Sequence, residues 1–544
     1  MDTIFTVQNE DLSRLSAQDA VEFFKELLWA EARSIGLPTT NVHITGQIYV
    51  PDGGVDASIR DGTSLPASGL IKAGITSFQI KAGASFEPWQ ESRIKRELFG
   101  DKAPDKNNLG SGVKHCFDNS GTYILVCFKQ DPTPEQIRQA IEHLNKYLTQ
   151  IGYQNPHLDV FGQSAIIGML KMFPSLALKA NRRAIARFQT YQSWSQEAEM
   201  RETNKPFKMG AQQQEFIENL QGELRKNTEA IHICVWGEPG IGKTRLVLEV
   251  TREDDLKPLV IYCDSASKFR DSDLMNEILQ DDNQFSAILV IDECDPDARS
   301  YIWNKLKYCG PRIKLVSIYN EYDSTSGNTM YMVAPPLADD QISQIIQGYN
   351  IPKDKADRWP DICSGSPRVA HVIGSNLHSN PGDLLKAPDT VNIWDRYIVG
   401  RDNPTSTNVQ QRRMVLRYIA LFKRFGYGSS VAAEAQAVAR KIERAAPQMT
   451  WQRFREIVEE LRHRKILQGE NTLYITPKAL HIKLWNEWWD TYGSQVSREE
   501  LLQDLPGYMT DWFNEMFKYA KSSKAASDFA KGLLGETGLF KNGD

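Results

Sequence analysis

Residues 237–244 read Gly-Glu-Pro-Gly-Ile-Gly-Lys-Thr, and no other stretch narrows the possible folds of this chain so far. The apolar run Ile231–Trp236 precedes it and reads as a strand. Thr244–Val250 follows it and reads as an amphipathic helix. A phosphate chain needs many N–H donors at close range, and a glycine-rich loop can wrap it while the next helix adds its positive N-terminal end. Gly237, Gly240 and Gly242 permit that path, Lys243 reaches the β- and γ-phosphates, and Thr244 offers a hydroxyl to Mg²⁺. ATP or ADP with Mg²⁺ is therefore the expected cofactor.

The strands around this loop alternate with helices. Pro258–Tyr262, Ala287–Ile291 and Lys314–Tyr319 read as buried strands, and the helix Gln214–Leu224 comes before the first. That order implies a parallel, doubly wound sheet, so the fold class is α/β. Asp292 ends one strand at the edge where such sheets bind ligands, and its expected role is to hold Mg²⁺. Glu293 beside it is placed to orient an attacking water. The plainer alternative is that the acidic pair merely ends a buried strand.

At 544 residues the chain exceeds one core, and several domains are expected. The NTPase core occupies 213–336 and a helical region 337–407. Over 408–492, helices near Arg412–Phe425 and Trp451–Arg464 precede a ribbon, Ile466–Gln468 and Leu473–Ile475, turned by Gly469-Glu470-Asn471. This pattern reads as a winged helix. A helical segment fills 493–544. Residues 187–212 are polar and poor in branched aliphatics, which reads as a linker.

Before the linker, 1–186 reads as a second α/β domain. Residues 16–34 form an amphipathic helix with Val21, Phe24 and Leu28 on one stripe, and Ser16 is a candidate N-cap. Strands are expected at Val42–Ile44, Gln47–Val50, Val55–Ile59, Ser77–Lys81, Tyr123–Phe128 and Leu158–Phe161. Helices are expected at Pro134–Leu148 and Ala165–Phe173. Asp56 follows the turn Gly53-Gly54, and Gln79 and Lys81 lie two apart on a strand, so they share a face. Metal-dependent phosphodiester hydrolysis needs ligands that fix the ion and a lysine that stabilises charge. The plainer alternative is a turn aspartate and a solvated strand face.

The constellation Gly53-Gly54-Val55-Asp56 with Gln79-Ile80-Lys81 resembles the Mrr-like branch of the PD-(D/E)xK nucleases over about 16–175. That resemblance implies catalysis by Asp56, Gln79 and Lys81. A glutamate on the first helix, Glu22 before Glu26, would join Asp56 and Gln79 as a metal ligand. Arg93, Lys95, Arg96, Lys102 and Lys106 could follow phosphates, although such a run is more often a solvated helix face. Gly365-Ser366-Pro367 resembles the Gly-x-Pro motif of STAND ATPases, whose proline touches nucleotide, so Pro367 is a cofactor-binding candidate. His481 lies where a winged-helix histidine contacts phosphate in some relatives. The alternative for His481 is a histidine packed on a helix.

A Mrr-like nuclease joined to a STAND ATPase resembles the antiviral STAND (Avs) family of bacteria. The resemblance implies a helical sensor for a phage protein, the large terminase or the portal. It also implies assembly into homo-oligomers, commonly tetramers, and cutting of double-stranded DNA. This chain departs from the family by stopping near 544, before most of that sensor, which reads either as a piece of something longer or as a version with a separate sensing partner. Two other classes stay open: a STAND regulator whose N-terminal domain binds without cutting, and a DNA-translocating restriction motor.

The net charge of −5 does not announce a nucleic-acid binder, so any DNA site must be local. The 7 cysteines form no C-x-x-C pair, and those at 127 and 234 sit in strand-like runs. Reduced thiols in a cytoplasmic protein are expected. No basic, then apolar leader opens the chain, and no run reaches the roughly 20 apolar residues of a membrane span.

Overall fold

The computed structural model describes residues 5–44, 53–62, 69–83, 86–181, 188–201, 207–280, 285–322, 328–385, 393–399, 403, 405–428, 431–493 and 501–534. The strand expected at Gln47–Val50 lies outside them.

The N-terminal half begins with a short helix, Asn9–Ser13, and then α1 (Ala17–Ser34), capped where Ser16 Oγ accepts the Asp19 N–H at 3.1 Å. The other elements of this half, in chain order, are β1 (Val42–Ile44), β2 (Ala57–Gly62), β3 (Gly74–Lys81), α2 (Glu91–Phe99), α3 (Ser111–Asp118), β4 (Thr122–Cys127), α4 (Pro134–Gln150), β5 (His157–Phe161), α5 (Gln163–Leu170) and α6 (Pro174–Asn181). The five strands form one sheet in sequence order, antiparallel from β1 to β3 and parallel from β3 to β5. Tyr123–Cys127 is buried throughout because β4 has a strand on each side and helices on both faces. Alternation along β3 sends Phe78 and Ile80 into the core shared with α1, where Phe24 meets Phe78 edge-on. Gln79 and Lys81 lie opposite Leu125 and Cys127 on the other face, under α2 and α3.

β6 (Gln189–Thr190) and α7 (Tyr191–Arg201) follow, then α8 (Ala211–Arg225), β7 (Ile231–Trp236), α9 (Lys243–Val250), β8 (Val260–Cys263), β9 (Ala287–Ile291), α10 (Pro296–Leu306), β10 (Ile313–Tyr319) and β11 (Met330–Val333). The second sheet runs β11-β7-β10-β9-β8-β6, parallel except for β6. This is the P-loop α/β arrangement that the alternating pattern implies.

The linker expected at 187–212 is in part built into this sheet. Gln189 and Thr190 pair with Tyr262 and Ile261, because a sheet edge offers backbone partners even to a sequence lacking strand periodicity. The two halves also share one continuous apolar core. Phe5 packs on Phe285, Ser175 Oγ donates to Val260 O at 2.8 Å, and Asn227 donates to Ser34 O at 3.0 Å.

After α11 (Asp339–Gln347) and α12 (Pro367–Ser379), the C-terminal unit comprises α13 (Thr407–Ile419), β12 (Phe425–Gly426), α14 (Ala432–Ala445), α15 (Trp451–His463), β13 (Leu467–Gln468), β14 (Thr472–Ile475), α16 (Lys478–Tyr492), α17 (Met509–Met516) and α18 (Lys524–Leu534). Its small antiparallel sheet is ordered β12-β14-β13. The tail packs onto this unit: Trp485 and Trp489 meet Phe517, and Trp489 meets Phe529. No helix among the described residues is long and apolar enough to cross a membrane.

Candidate functional site

β7 delivers the glycine-rich loop to the carboxyl edge of the second sheet. Gly240 and Gly242 adopt φ of +85° and +98°, a region that disfavours side chains. Space adds a second constraint, since a Cβ on Gly240 would lie 3.3 Å from Ser366 Oγ. Ser366 itself donates to Gly240 O at 3.0 Å and caps α12. Pro367 lines the same cavity, 3.6 Å from where a Gly242 Cβ would stand.

Lys243 is buried, and its ammonium donates to Gly237 O at 2.9 Å, Glu238 O at 3.1 Å and Asn320 Oδ1 at 2.8 Å. Burial pulls it down to about 8, against the attraction of Asp292, Glu293 and Glu238. Thr244 Oγ1 donates to Asp292 Oδ2 at 2.7 Å. Tyr262 Oη donates to the same oxygen at 3.3 Å, and the Glu293 N–H donates to Oδ1 at 2.9 Å. Burial pushes the Asp292 carboxyl up, and it pushes Glu293 up to about 7 with the Asp292 charge adding to the effect.

The residues fit the expected group. Two hard oxygen donors, Thr244 and Asp292, stand together as a magnesium ion requires, and a buried ammonium sits beside a cradle of glycine amides. The cavity beside them measures about 1030 Å³ and is lined by Trp194, Phe207, Tyr262 and Pro367 among others. It is at the upper end of the range for small-molecule sites.

The C-terminal unit closes the far side of this cavity with Arg462, Lys465 and Tyr474. Tyr474 Oη donates to Glu293 Oε1 at 2.9 Å. Ser265 Oγ donates to Glu470 at 2.5 Å, Ser267 bonds the same carboxylate, and Lys478 pairs with Glu238 of the loop. Lys423 meets Glu321 at 2.8 Å and Arg424 donates to Tyr319 Oη at 2.9 Å.

His481 is not among the residues lining that cavity. Its ring is buried in the C-terminal unit with Nε2 3.1 Å from Ala420 O, and burial lowers it to about 4. It lies on the apolar stripe of α16 with Leu484, Trp485 and Trp488, so packing takes it inward.

In the N-terminal half the pairing of Ala57 with Phe78 continues to Asp56, whose N–H donates to Phe78 O at 2.8 Å. The Asp56 carboxylate accepts the Ile80 N–H at 2.6 Å, between Gln79 and Lys81. Gln79 is 6% exposed, and its Oε1 is buried with no hydrogen-bond partner. An orphaned oxygen beside a carboxylate fits a cation as donor set, although an amide is a weaker Mg²⁺ ligand than a carboxylate.

Glu22 does not join this group. It is exposed, pairs with Lys25 at 2.9 Å, and belongs to a helix packed on the opposite face of the sheet. Glu26 pairs with Lys179 at 2.6 Å. Glu97 on α2 is the carboxylate that reaches Lys81, at 2.5 Å. Among the described residues no three His, Cys, Asp or Glu side chains cluster as a metal site. Arg93, Lys95, Arg96 and Lys102 are exposed, and Lys106 pairs with Asp118 at 3.0 Å.

Sequence reading missed Trp194, Tyr262, Asn320, Tyr474 and Glu97. Only Asn320 carried a usable signal, a polar residue directly after a buried parallel strand at the ligand-binding edge.

No family model matches the chain, and no curated protein matches it. Among solved structures it is similar to Cdc6p from Pyrobaculum aerophilum, at 14% identity and TM-score 0.26, over 52% of this chain and 96% of that one. The Aeropyrum pernix ORC2 protein, solved as ADPNP–ADP complexes, gives 11% identity and TM-score 0.26 over 52% and 94%. PCH-2 of C. elegans gives 10% and 0.22 over 33% and 65%.

Proposed function

We propose that this chain is an ATP-gated, Mg²⁺-dependent endonuclease of bacterial anti-phage defence. The observation that carries the nuclease reading is that the Asp56 carboxylate takes the Ile80 N–H, between Gln79 and Lys81 on one strand, while the Gln79 amide oxygen is buried with no partner. Bound there, Mg²⁺ would supply an activated water and offset phosphate charge. Asp56 and Gln79 would hold the ion. Lys81, released from Glu97, would donate to a phosphate oxygen.

In the nucleotide site the loop amides would bind phosphate oxygens, and Lys243 would exchange its carbonyl partners for them. Thr244 and Asp292 would hold Mg²⁺, and Pro367 would bear on the nucleotide. Tyr474 occupies one oxygen of Glu293, so withdrawal of the C-terminal unit, read here as a winged helix, would free both oxygens to orient a water. A phage protein, the large terminase or the portal, is the proposed trigger. Homo-oligomers, such as tetramers, would then bring the two active sites that a double-stranded cut requires to one DNA duplex in the cytoplasm.

A plasmid-degradation assay with Mg²⁺, ATP and each candidate phage protein tests this reading. Wild type should cut only with all three components, and Lys81→Ala and Lys243→Ala should each abolish cutting. The Lys81–Glu97 pair favours a second reading, in which the lysine is already neutralised and the N-terminal half binds nucleic acid without cutting in a STAND-type regulator. Phage protection surviving Lys81→Ala would select that reading.

A further inference from the structure

The expected linker carries one aromatic residue into the nucleotide site. β6 sets Gln189 opposite Tyr262, and one turn into α7 the Trp194 ring stacks on the Tyr262 ring, with centroids 4.3 Å apart and planes 6° apart. Both rings are buried, and both border the nucleotide cavity. The Tyr262 hydroxyl turns to Asp292, the carboxylate that also takes the Thr244 hydroxyl. The strand bearing Tyr262 is held at its other end by Ser175 of the N-terminal half, through Val260 O.

Three donors orient the Asp292 carboxylate, and only the tyrosine's is set by residues outside the loop and its own strand end. Partners behind a metal ligand fix its orientation and tune its affinity. A flat aromatic stack restrains the tyrosine ring, and a ring so restrained holds its hydroxyl.

We propose that Tyr262 and Trp194 are positioning residues for Asp292, so that the magnesium–nucleotide complex is bound jointly by the ATPase sheet and by the segment leaving the N-terminal half. The proposal rests on the nucleotide-site reading and not on the nuclease reading. Linkage makes the effect reciprocal: the metal-bearing nucleotide tightens the docking of 189–197, and a loosened segment weakens the metal.

The test uses the full chain and a fluorescent ADP analogue titrated in Mg²⁺ and in EDTA. In Tyr262→Phe, which keeps the stack and removes the hydroxyl, the gain in affinity that Mg²⁺ confers should fall about fivefold, the size of one hydrogen bond, with EDTA affinity unchanged. Trp194→Ala should act in the same direction, and Trp194→Phe should restore most of the loss. Hydrogen exchange supplies the second readout. In wild type Mg²⁺–ADP should slow exchange across 189–197 beyond ADP in EDTA, and Tyr262→Phe should erase that difference.

An unchanged magnesium gain in Tyr262→Phe and Trp194→Ala would overturn the proposal. Equal losses in Mg²⁺ and EDTA would also overturn it, by showing a packing role alone. A wild type that binds no nucleotide would sink the nucleotide reading and this proposal with it.

Discussion

Both candidate sites lie at the carboxyl end of a parallel strand, yet they are finished differently. In the nucleotide site, Lys243 has three oxygen acceptors and Asp292 three donors, supplied by the loop and the ends of three strands. In the N-terminal site, Lys81 meets Glu97, and the buried Gln79 oxygen has no partner. One site is braced before any ligand arrives, and the other carries a polar group whose desolvation is uncompensated. A braced site suits a switch that must hold one geometry tightly. An uncompensated one suits a site completed only when an ion and substrate meet.

The hardest blow to the comparison is Lys243→Ala. It should lower nucleotide affinity by about 100-fold or more, because a buried charge-assisted contact is lost, and leave the metal affinity proposed for the N-terminal site untouched. Equilibrium binding of labelled ADP and of Mn²⁺ checks both halves of that statement.

Gln79→Glu sharpens the difference. Without metal, a buried carboxylate should cost about 2 kcal/mol, and Mg²⁺ should recover it, so the melting temperature becomes strongly Mg²⁺-dependent. A melting temperature with wild-type response to Mg²⁺ would remove Gln79 from the proposed metal site.

A comparable effect concerns a buried carboxylate of the N-terminal half. Burial raises Glu31 from 4.5 to about 7 in the N-terminal half, where the Ile71 N–H at 3.3 Å offsets it only in part. A raised folded-state value means the folded form holds the proton more tightly. Its contribution is full below pH 4.5 and is lost as pH rises through 7. Glu31→Gln should flatten stability between those limits and gain about 3 kcal/mol at pH 8, read by urea unfolding at pH 5 and 8.

The smallest effect concerns the closing contact over the nucleotide site. Tyr474→Phe removes one hydrogen bond to Glu293, and basal ATP hydrolysis should rise about fivefold. A turnover rate equal to wild type would show that Tyr474 does not restrain Glu293.

The nucleotide site was legible because its chemistry is contiguous: eight residues set the loop, and an apolar strand ending in Asp292 points to the same sheet edge. The N-terminal site was legible only in part. Asp56, Gln79 and Lys81 announce themselves through a turn and a two-residue period. Which glutamate stands near Lys81 depends on which face of the sheet each helix covers, and Glu22 and Glu97 both sit on amphipathic helices. For His481 the packed alternative follows from its own helical stripe.

Local sequence determined the P-loop, the alternation of strands and helices, and the face that Gln79 and Lys81 share, because each follows from neighbours a few residues apart along the backbone. Tertiary structure alone decided that Trp194 stacks on Tyr262, that Glu97 meets Lys81 while Glu22 pairs with Lys25, and that Tyr474 reaches Glu293. The contacts of Trp194, Glu97 and Tyr474 join residues 16 to 181 positions apart. They depend on how sheet faces and edges are covered, which no local periodicity encodes.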